Sequence, residues 1–277
     1  MMNYFSKLWL SKFNIPRRVF NLSKRVFWKT VRILIGKFNL FAVSSGFQNS
    51  QMKEIGLIRE DGLAKLDDVL NDVMSKSYNE NDGMFSEHLI LISAISVSRA
   101  NIKRVLEIGT HDGRTALILS HLFPDAEIIS IDLPSADSVF EHTYNRDSSV
   151  DEFINMRDAN IAEAKNVDFR EVNSIGLCEW NEKFDLIWID GAHGYPVVPM
   201  DVINSFRLAN KGAFILIDDI WKSVDKSEGM YKSIAGIESL DALVIAKLIP
   251  KYFLFHKRLG GIFNYPGQQK YVGCFIK

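Results

Sequence analysis

Seven residues of this 277-residue chain have the types and spacing to hold and process a ligand: Glu107, Gly109, Gly113, Asp132, Asp190, Asp218 and Asp219. The run Arg104-Val-Leu-Glu-Ile-Gly-Thr-His-Asp-Gly-Arg-Thr115 sets an acid at the end of a short apolar stretch. Two glycines follow, four residues apart. Glycine has no Cβ and tolerates positive φ, so a strand–turn–helix junction through Gly109, Thr110 and Gly113 lets a ligand approach the backbone. A helix start of this kind attracts a pyrophosphate, and a carboxylate there repels one. Glu107 therefore suits a ligand with a cationic or hydroxyl-rich end. Asp132 closes the run Glu127-Ile-Ile-Ser-Ile-Asp132, 19 residues past Gly113. An acid at this point of a nucleotide-binding α/β fold accepts hydrogen bonds from ribose hydroxyls.

Two further apolar runs end in acids. One is Phe184-Asp-Leu-Ile-Trp-Ile-Asp190-Gly-Ala-His193, the other Gly212-Ala-Phe-Ile-Leu-Ile-Asp218-Asp219. Ligands of open α/β sheets bind outside the carboxyl ends of the strands. Three carboxylates gathered there repel one another unless a cation neutralises them or some are protonated. A hard divalent ion with oxygen ligands, Mg²⁺ first, is the natural occupant of Asp190, Asp218 and Asp219. His193 stands three residues after Asp190. Imidazole titrates near neutrality, so His193, beside Asp190, can take a proton from an acceptor hydroxyl. It could equally hydrogen-bond a bound ligand or orient the loop.

The elements that must position these residues follow from periodicity. After Asn101, strands and helices alternate, which predicts a parallel sheet covered on both faces. The expected strands are 103–108, 127–131, 167–172, 184–189 and 213–217, with two more at about 251–256 and 270–276 around Gly260-Gly261. Residues 54–100 read as helices. Ala64–Met74 is apolar at three- and four-residue steps, and Ser86 is placed to cap a second helix after a polar turn from Tyr78 to Gly83. Residues 134–165, with Tyr144, Arg146 and Arg157, read as a polar insertion suited to a substrate lid. Trp221 and Lys222 follow the second acid run and could line an acceptor site. The domain reading is a basic arm over 1–53, a helical segment over 54–100 and a catalytic domain over 101–277.

The net charge of −1 hides an asymmetry. Residues 1–53 carry ten basic residues, among them Lys7, Lys12, Arg18, Arg25, Lys29 and Arg32, and no acid. Residues 54–277 hold the other 23 basic residues against all 34 acidic ones, a balance of −11. The arm also holds ten aromatics, from Tyr4, Phe5 and Trp9 to Phe47. At helical spacing, Phe20, Phe27, Val31, Leu34 and Phe38 form one stripe, with Arg18, Arg25, Lys29 and Arg32 opposite. Such a helix suits an anionic membrane interface through residues 1–50. Packing on the body or on a second subunit of a homo-oligomer is the competing reading, and a mitochondrial presequence is a third. No stretch approaches the ~20 apolar residues a spanning helix needs, and nucleic acid is not an expected partner. Cys178 and Cys274 follow no metal or redox spacing. They read as reduced thiols, so the expected setting is cytoplasmic, at the inner face of a membrane.

The acid–x–Gly–x–x–x–Gly run resembles motif I of the class I S-adenosylmethionine-dependent methyltransferases. The acid runs resemble those of the metal-dependent O-methyltransferases, most closely the macrocin-type sugar branch. The resemblance covers about residues 86–220. It implies a doubly wound, mostly parallel seven-stranded Rossmann-like sheet with an antiparallel last strand and, here, an N-terminal helical extension. It also implies S-adenosylmethionine bound by Glu107, Gly109, Thr110, Gly113 and Asp132, with Asn173 and Ser174 at the adenine. Mg²⁺ on Asp190, Asp218 and Asp219 and methyl transfer to a hydroxyl of a sugar, glycan or glycolipid follow from the same likeness. Catechol-type relatives carry a lysine at the spacing of His193. Macrocin-type ones carry an acid nearer Asp190, where this chain has Ala192. Two other functions stay open: an NAD(P)-dependent oxidoreductase, which the missing Gly-x-Gly-x-x-Gly turn and Glu107 oppose, and a membrane-tethered binding module with a vestigial fold.

Overall fold

A computed structural model describes residues 17–80, 82, 84–140, 149–224, 232–265 and 267–277. Tyr4, Phe5, Lys7, Trp9, Lys12, Gly83, Tyr144 and Arg146 lie outside the described residues, as do the side chains of Arg18, Phe20, Arg25 and Arg32.

Four helices precede the sheet: α1 (Arg17–Phe38), α2 (Ser45–Glu54), α3 (Arg59–Met74) and α4 (Glu87–Ser98). Then β1 (Arg104–Ile108), α5 (Arg114–Leu122), β2 (Glu127–Asp132), α6 (Val150–Glu163) and β3 (Val167–Glu171) alternate. After a short 3₁₀ turn come β4 (Phe184–Ile189), α7 (Val197–Leu208), β5 (Ala209–Ile220), α8 (Ala235–Ile245), β6 (Phe253–His256) and β7 (Tyr271–Ile276). The spatial order is β3-β2-β1-β4-β5-β7-β6. β1 to β5 run parallel, and β7 lies antiparallel between β5 and β6. This is the expected Rossmann-like sheet of seven strands. The inner strands are apolar on both sides because both faces are covered. One face packs Val105, Trp188 and Phe214 under residues of α3, α4 and α5. The other packs Leu106, Ile187 and Ile215 under residues of α7 and α8.

The expected strands match closely, except that β5 is longer than 213–217 and takes in Asp218 and Asp219. Its pairing with β7 shifts register between Ile217 and Ile220, and Asp219 has a φ of +52°. A bulge of this kind re-aims side chains that a regular strand sends to opposite faces. Ser86 sits at the start of α4 as expected, but its hydroxyl pairs with His88 Nδ1 and caps no backbone N–H.

The arm helix α1 rests on the loop between β6 and β7 by one edge. Trp28 stacks on Tyr265 with centroids 6.4 Å apart, and Ile35 is buried. Just past α1, Gly261 N–H donates to Asn39 Oδ1 at 3.0 Å, and Val43 N–H donates to Leu259 O at 2.9 Å. Three residues of the stripe read from the sequence face away, with Phe27 61% and Phe38 63% exposed and Leu34 also out. Among the described residues no helix is long and apolar enough to cross a membrane.

Candidate active site

The sheet's order reverses between β1 and β4, so the turns after these strands meet. Gly109 makes that meeting fit. Its φ is +102°, and a Cβ there would lie 2.5 Å from the Asp190 carbonyl oxygen and 2.9 Å from Gly191 N. The Gly109 and Thr110 N–H groups both donate to Ile131 O, at 2.8 and 3.2 Å, which ties the turn to β2. Gly113 has a φ of +76° and starts α5, close against the Arg157 carbonyl of α6.

A cavity of about 880 Å³ opens at the carboxyl ends of the strands. The β1, β2 and β3 ends contribute Gly109, Asp132, Asn173 and Ser174 to its wall, and the β4 and β5 ends contribute Asp190, His193, Asp218 and Asp219. Asp132 lines the cavity, with its Oδ2 accepting the His111 N–H at 2.8 Å and its Oδ1 the Leu133 N–H at 2.8 Å. Leu133, Val172, Ile175 and Phe153 line the cavity with apolar surface. Asn173 also caps the following 3₁₀ turn, its Oδ1 accepting from Ile175 N–H at 3.1 Å.

Three of the expected ligand contacts lie behind this wall. Glu107, Thr110 and Gly113 do not line the cavity. Glu107 is fully buried, accepts from Ser130 Oγ at 2.5 Å, and Ser130 in turn meets Thr110 Oγ1 at 2.7 Å. Burial first, and then the nearby Asp132 and Asp112 charges, push the Glu107 carboxyl up to about 8, although the Ser130 bond opposes them. At neutral pH Glu107 is a protonated acid within the turn. The expectation of a carboxylate facing the ligand's cationic end is corrected: strand alternation sends Glu107 into the core, away from the cavity. Trp221 and Arg157 are likewise buried off the wall. Trp221 packs under Lys232 and Lys270, and Arg157 lies over Phe169. Lys222 lies over the Tyr271 ring, also off the wall.

Asp190, Asp218 and Asp219 do converge, and the cation among them is a side chain. Lys257 Nζ donates to Asp218 Oδ2 and to Asp219 Oδ1, each at 2.5 Å, and Lys270 Nζ holds Asp219 Oδ2. Despite their burial, the Lys257 charge holds Asp218 below its ordinary carboxylate range, and Asp219 is lowered too. Asp190 goes the other way: burial and the Asp218 charge raise it well above that range. The donor set therefore does not fit Mg²⁺. An ammonium occupies the point where the Asp218 and Asp219 oxygens converge. Among the described residues no group of three or more His, Cys, Asp or Glu is arranged to hold an ion. The repulsion argument stands, but lysines on the C-terminal hairpin answer it.

His193 lies on the wall with Nε2 3.7 Å from Asp190 Oδ1. Burial lowers its basicity, so it is neutral near pH 7 and free to accept a proton. His88, which no sequence pattern marked, also lines the cavity and stacks on Trp188 with centroids 4.7 Å apart. Burial pulls His88 down to about 4, so it too is uncharged.

Residues 106–220 match the family model of a methyltransferase domain. Among solved structures, a candidate O-methyltransferase from Klebsiella pneumoniae aligns with 16% identity over 79% of this chain and 89% of its own, at a TM-score of 0.47. The O-methyltransferase TomG of Streptomyces achromogenes, involved in tomaymycin synthesis and solved with S-adenosylmethionine, shows 14% identity over 83% and 95%, at 0.46. A Bacillus cereus O-methyltransferase bound to S-adenosylhomocysteine shows 14% over 79% and 100%, at 0.45. No curated protein matches the chain. The fold itself is read from the chain's own strand order, an α/β Rossmann-like sheet of the methyltransferase kind, within which residues 106–220 match a methyltransferase domain.

The buried acid gives a testable pH dependence. Glu107 holds its proton up to about 8 in the fold, against 4.5 for an ordinary glutamate. The folded chain therefore binds more protons than the unfolded one between these values, and stability falls as pH rises through that window. The size is on the order of a few kcal/mol, at ~1.4 kcal/mol per tenfold change in proton affinity. Urea unfolding of wild type and Glu107→Gln at pH 5 and pH 8 should show a smaller loss in the variant. Parallel losses in the two proteins would mean that Glu107 is ionised in the fold.

Proposed function

We propose that this chain is an S-adenosylmethionine-dependent O-methyltransferase acting on a hydroxyl of a sugar, glycan or glycolipid. The observation that carries the reading is one cavity that joins the Gly109 turn and Asp132 to a neutral His193. Asp132 suits ribose hydroxyls, and the apolar surface of Leu133, Val172 and Ile175 suits an adenine beside Asn173 and Ser174. S-adenosylmethionine supplies an electrophilic methyl when bound. His193 takes the acceptor's proton as its oxygen attacks, since a neutral imidazole is the ready base at pH 7. Asp190 Oδ1 lies 3.7 Å from that ring. The sugar hydroxyl as acceptor follows the sequence likeness to the macrocin-type branch.

Calorimetry with S-adenosylmethionine and, separately, NAD(H) tests the reading. Gly109→Val drives side-chain atoms into the Asp190 carbonyl and should weaken S-adenosylmethionine binding more than ~10-fold, ~1.4 kcal/mol. Asp132→Ala should cost on the order of 1–3 kcal/mol, the penalty for unpaired polar groups. Binding of NAD(H) in place of S-adenosylmethionine would defeat the assignment.

The base role has its own signature. His193→Ala should keep cofactor affinity while turnover falls by ~10²–10⁴-fold, the usual worth of a general base. Unchanged turnover would remove His193 from the chemistry. Cofactor binding without turnover on any hydroxyl acceptor would favour a binding module that keeps the fold alone.

We also propose that α1 docks on an anionic membrane surface. Phe27, Leu34 and Phe38 stand exposed on a helix within a segment of ten basic residues and no acid. Apolar side chains flanked by cations match a lipid headgroup boundary. Full-length protein should co-sediment with phosphatidylglycerol-containing vesicles, and less so as salt rises, because exposed charges are screened over about 8–10 Å. Replacing Phe27, Leu34 and Phe38 together with serine should abolish the sedimentation and leave cofactor affinity intact. A protein that ignores the vesicles, or that buries the stripe in a dimer by light scattering, would overturn the membrane reading.

A further inference from the structure

We propose that Lys257 is the resident cation of the acid cluster, so that this chain takes no divalent ion at Asp190, Asp218 and Asp219, and that its ammonium also binds the methyl acceptor. The second half rests on the methyltransferase reading; the first half does not.

The ammonium stands at the point where an ion would have to bridge Asp218 and Asp219. Mg²⁺ needs carboxylate oxygens about 2.0–2.1 Å from a shared point. Here the shared point of Asp218 Oδ2 and Asp219 Oδ1 is the Lys257 nitrogen, 2.5 Å from both. Both oxygens of Asp219 already meet an ammonium, because Lys270 holds its Oδ2. Two ammonium groups thus face two carboxylates, and an entering dication would meet both of them.

Lys257 is not a side chain that swings in by chance. Its N–H donates to Lys270 O at 2.9 Å, which ties it to the approach to β7. Its carbonyl accepts the Glu87 N–H at 2.9 Å, which ties it to the start of α4. Glu87 is itself gripped by Arg59 through two bonds of 2.6 and 3.0 Å. On the acid side, the bulge in β5 and the positive φ of Asp219 turn adjacent carboxylates toward one nitrogen. Both partners of the bridge are therefore fixed by backbone.

Lys257 also lines the cavity. A lysine carries three donors and no acceptor. Asp218 and Asp219 take two of them, and the third can meet an oxygen of the acceptor beside His193. The contact gives one hydrogen bond to the oxygen and lowers its proton affinity. A metal would act at the same place with a larger charge. Lys257 thus acts as a binding and positioning residue.

Manganese is the probe, read by electron paramagnetic resonance on the full chain at neutral pH. Wild type should show no site occupied at 100 µM Mn²⁺, about the level at which a ~10⁻⁴ M site half-fills. The Lys257→Ala, Lys270→Ala double variant should gain a one-to-one site, and adding Asp218→Asn should remove it. Lys257→Arg, which keeps the charge and guards against misfolding, should bind no manganese. One manganese ion bound to wild type and lost in Asp218→Asn would overturn the proposal, as would a double variant, folded by circular dichroism, that gains none. For the acceptor role, Lys257→Arg should raise KM for the acceptor at least fivefold with S-adenosylmethionine affinity unchanged, and turnover should survive exhaustive chelation. An unchanged KM sinks the acceptor contact alone. Absent S-adenosylmethionine binding sinks the methyltransferase reading and leaves the manganese result standing.

Discussion

The β1 and β4 turns touch, and the site depends on that contact. Gly109 can approach the Asp190 carbonyl only because it lacks a Cβ, which would stand 2.5 Å from that oxygen. Strand order makes the contact necessary. β1 and β4 are neighbours, and their connections leave in opposite directions, which opens a crevice at their carboxyl ends. With the turns in contact, Asp132 from the first half of the sheet and His193 from the second line one cavity. A larger residue at Gly109 would separate these halves before it touched any ligand.

Within this frame, acids of one chemical kind acquire different charges. Glu107 faces the core and is pushed up to about 8, so it is a hydrogen-bonded neutral group. Asp132, a strand away, accepts a backbone N–H on each oxygen and lines the cavity. Asp218 and Asp219 share Lys257 and stay ionised, while Asp190, buried beside them, is raised. The surroundings sort the acids into structural, ligand-facing and ion-paired groups. Neutral His193 then stands beside Asp190, and the fixed positive charge of Lys257 faces the same cavity.

This sorting marks where the sequence is legible. Strands β1 to β5 announce themselves as apolar runs, because a sheet covered on both faces tolerates few polar residues inside it. The Gly109 turn, Asp132 and Asp190 sit within or just beyond those runs, so local pattern finds them. The side chain of Glu107 lies off its expected place for a local reason too. Alternation along β1 places it on the face of Val105, and the motif's consensus does not say which face meets the ligand. Lys257 and Lys270 are another case. They meet the acids from 38 and 51 residues downstream of Asp219, just past β6 and just before β7, two strands whose order in the sheet no spacing reveals. His88 comes from a helix before the sheet begins. The bulge that aims Asp219 is equally hidden, since Ile-Asp-Asp-Ile reads as ordinary alternation failing at a strand end.

The arm shows the converse limit. Its stripe is legible at helical spacing, yet periodicity cannot say what covers an apolar face. The structure divides the question between two edges of α1. Trp28 and Ile35 seat the helix on the loop between β6 and β7, and Asn39 and Val43 extend that seat along the chain. Phe27, Leu34 and Phe38 lie on the other edge and remain exposed. A helix anchored by one edge holds its free edge at a fixed height over the body. The loop it rests on runs from Lys257 to Lys270, the two residues whose ammonium groups hold Asp219.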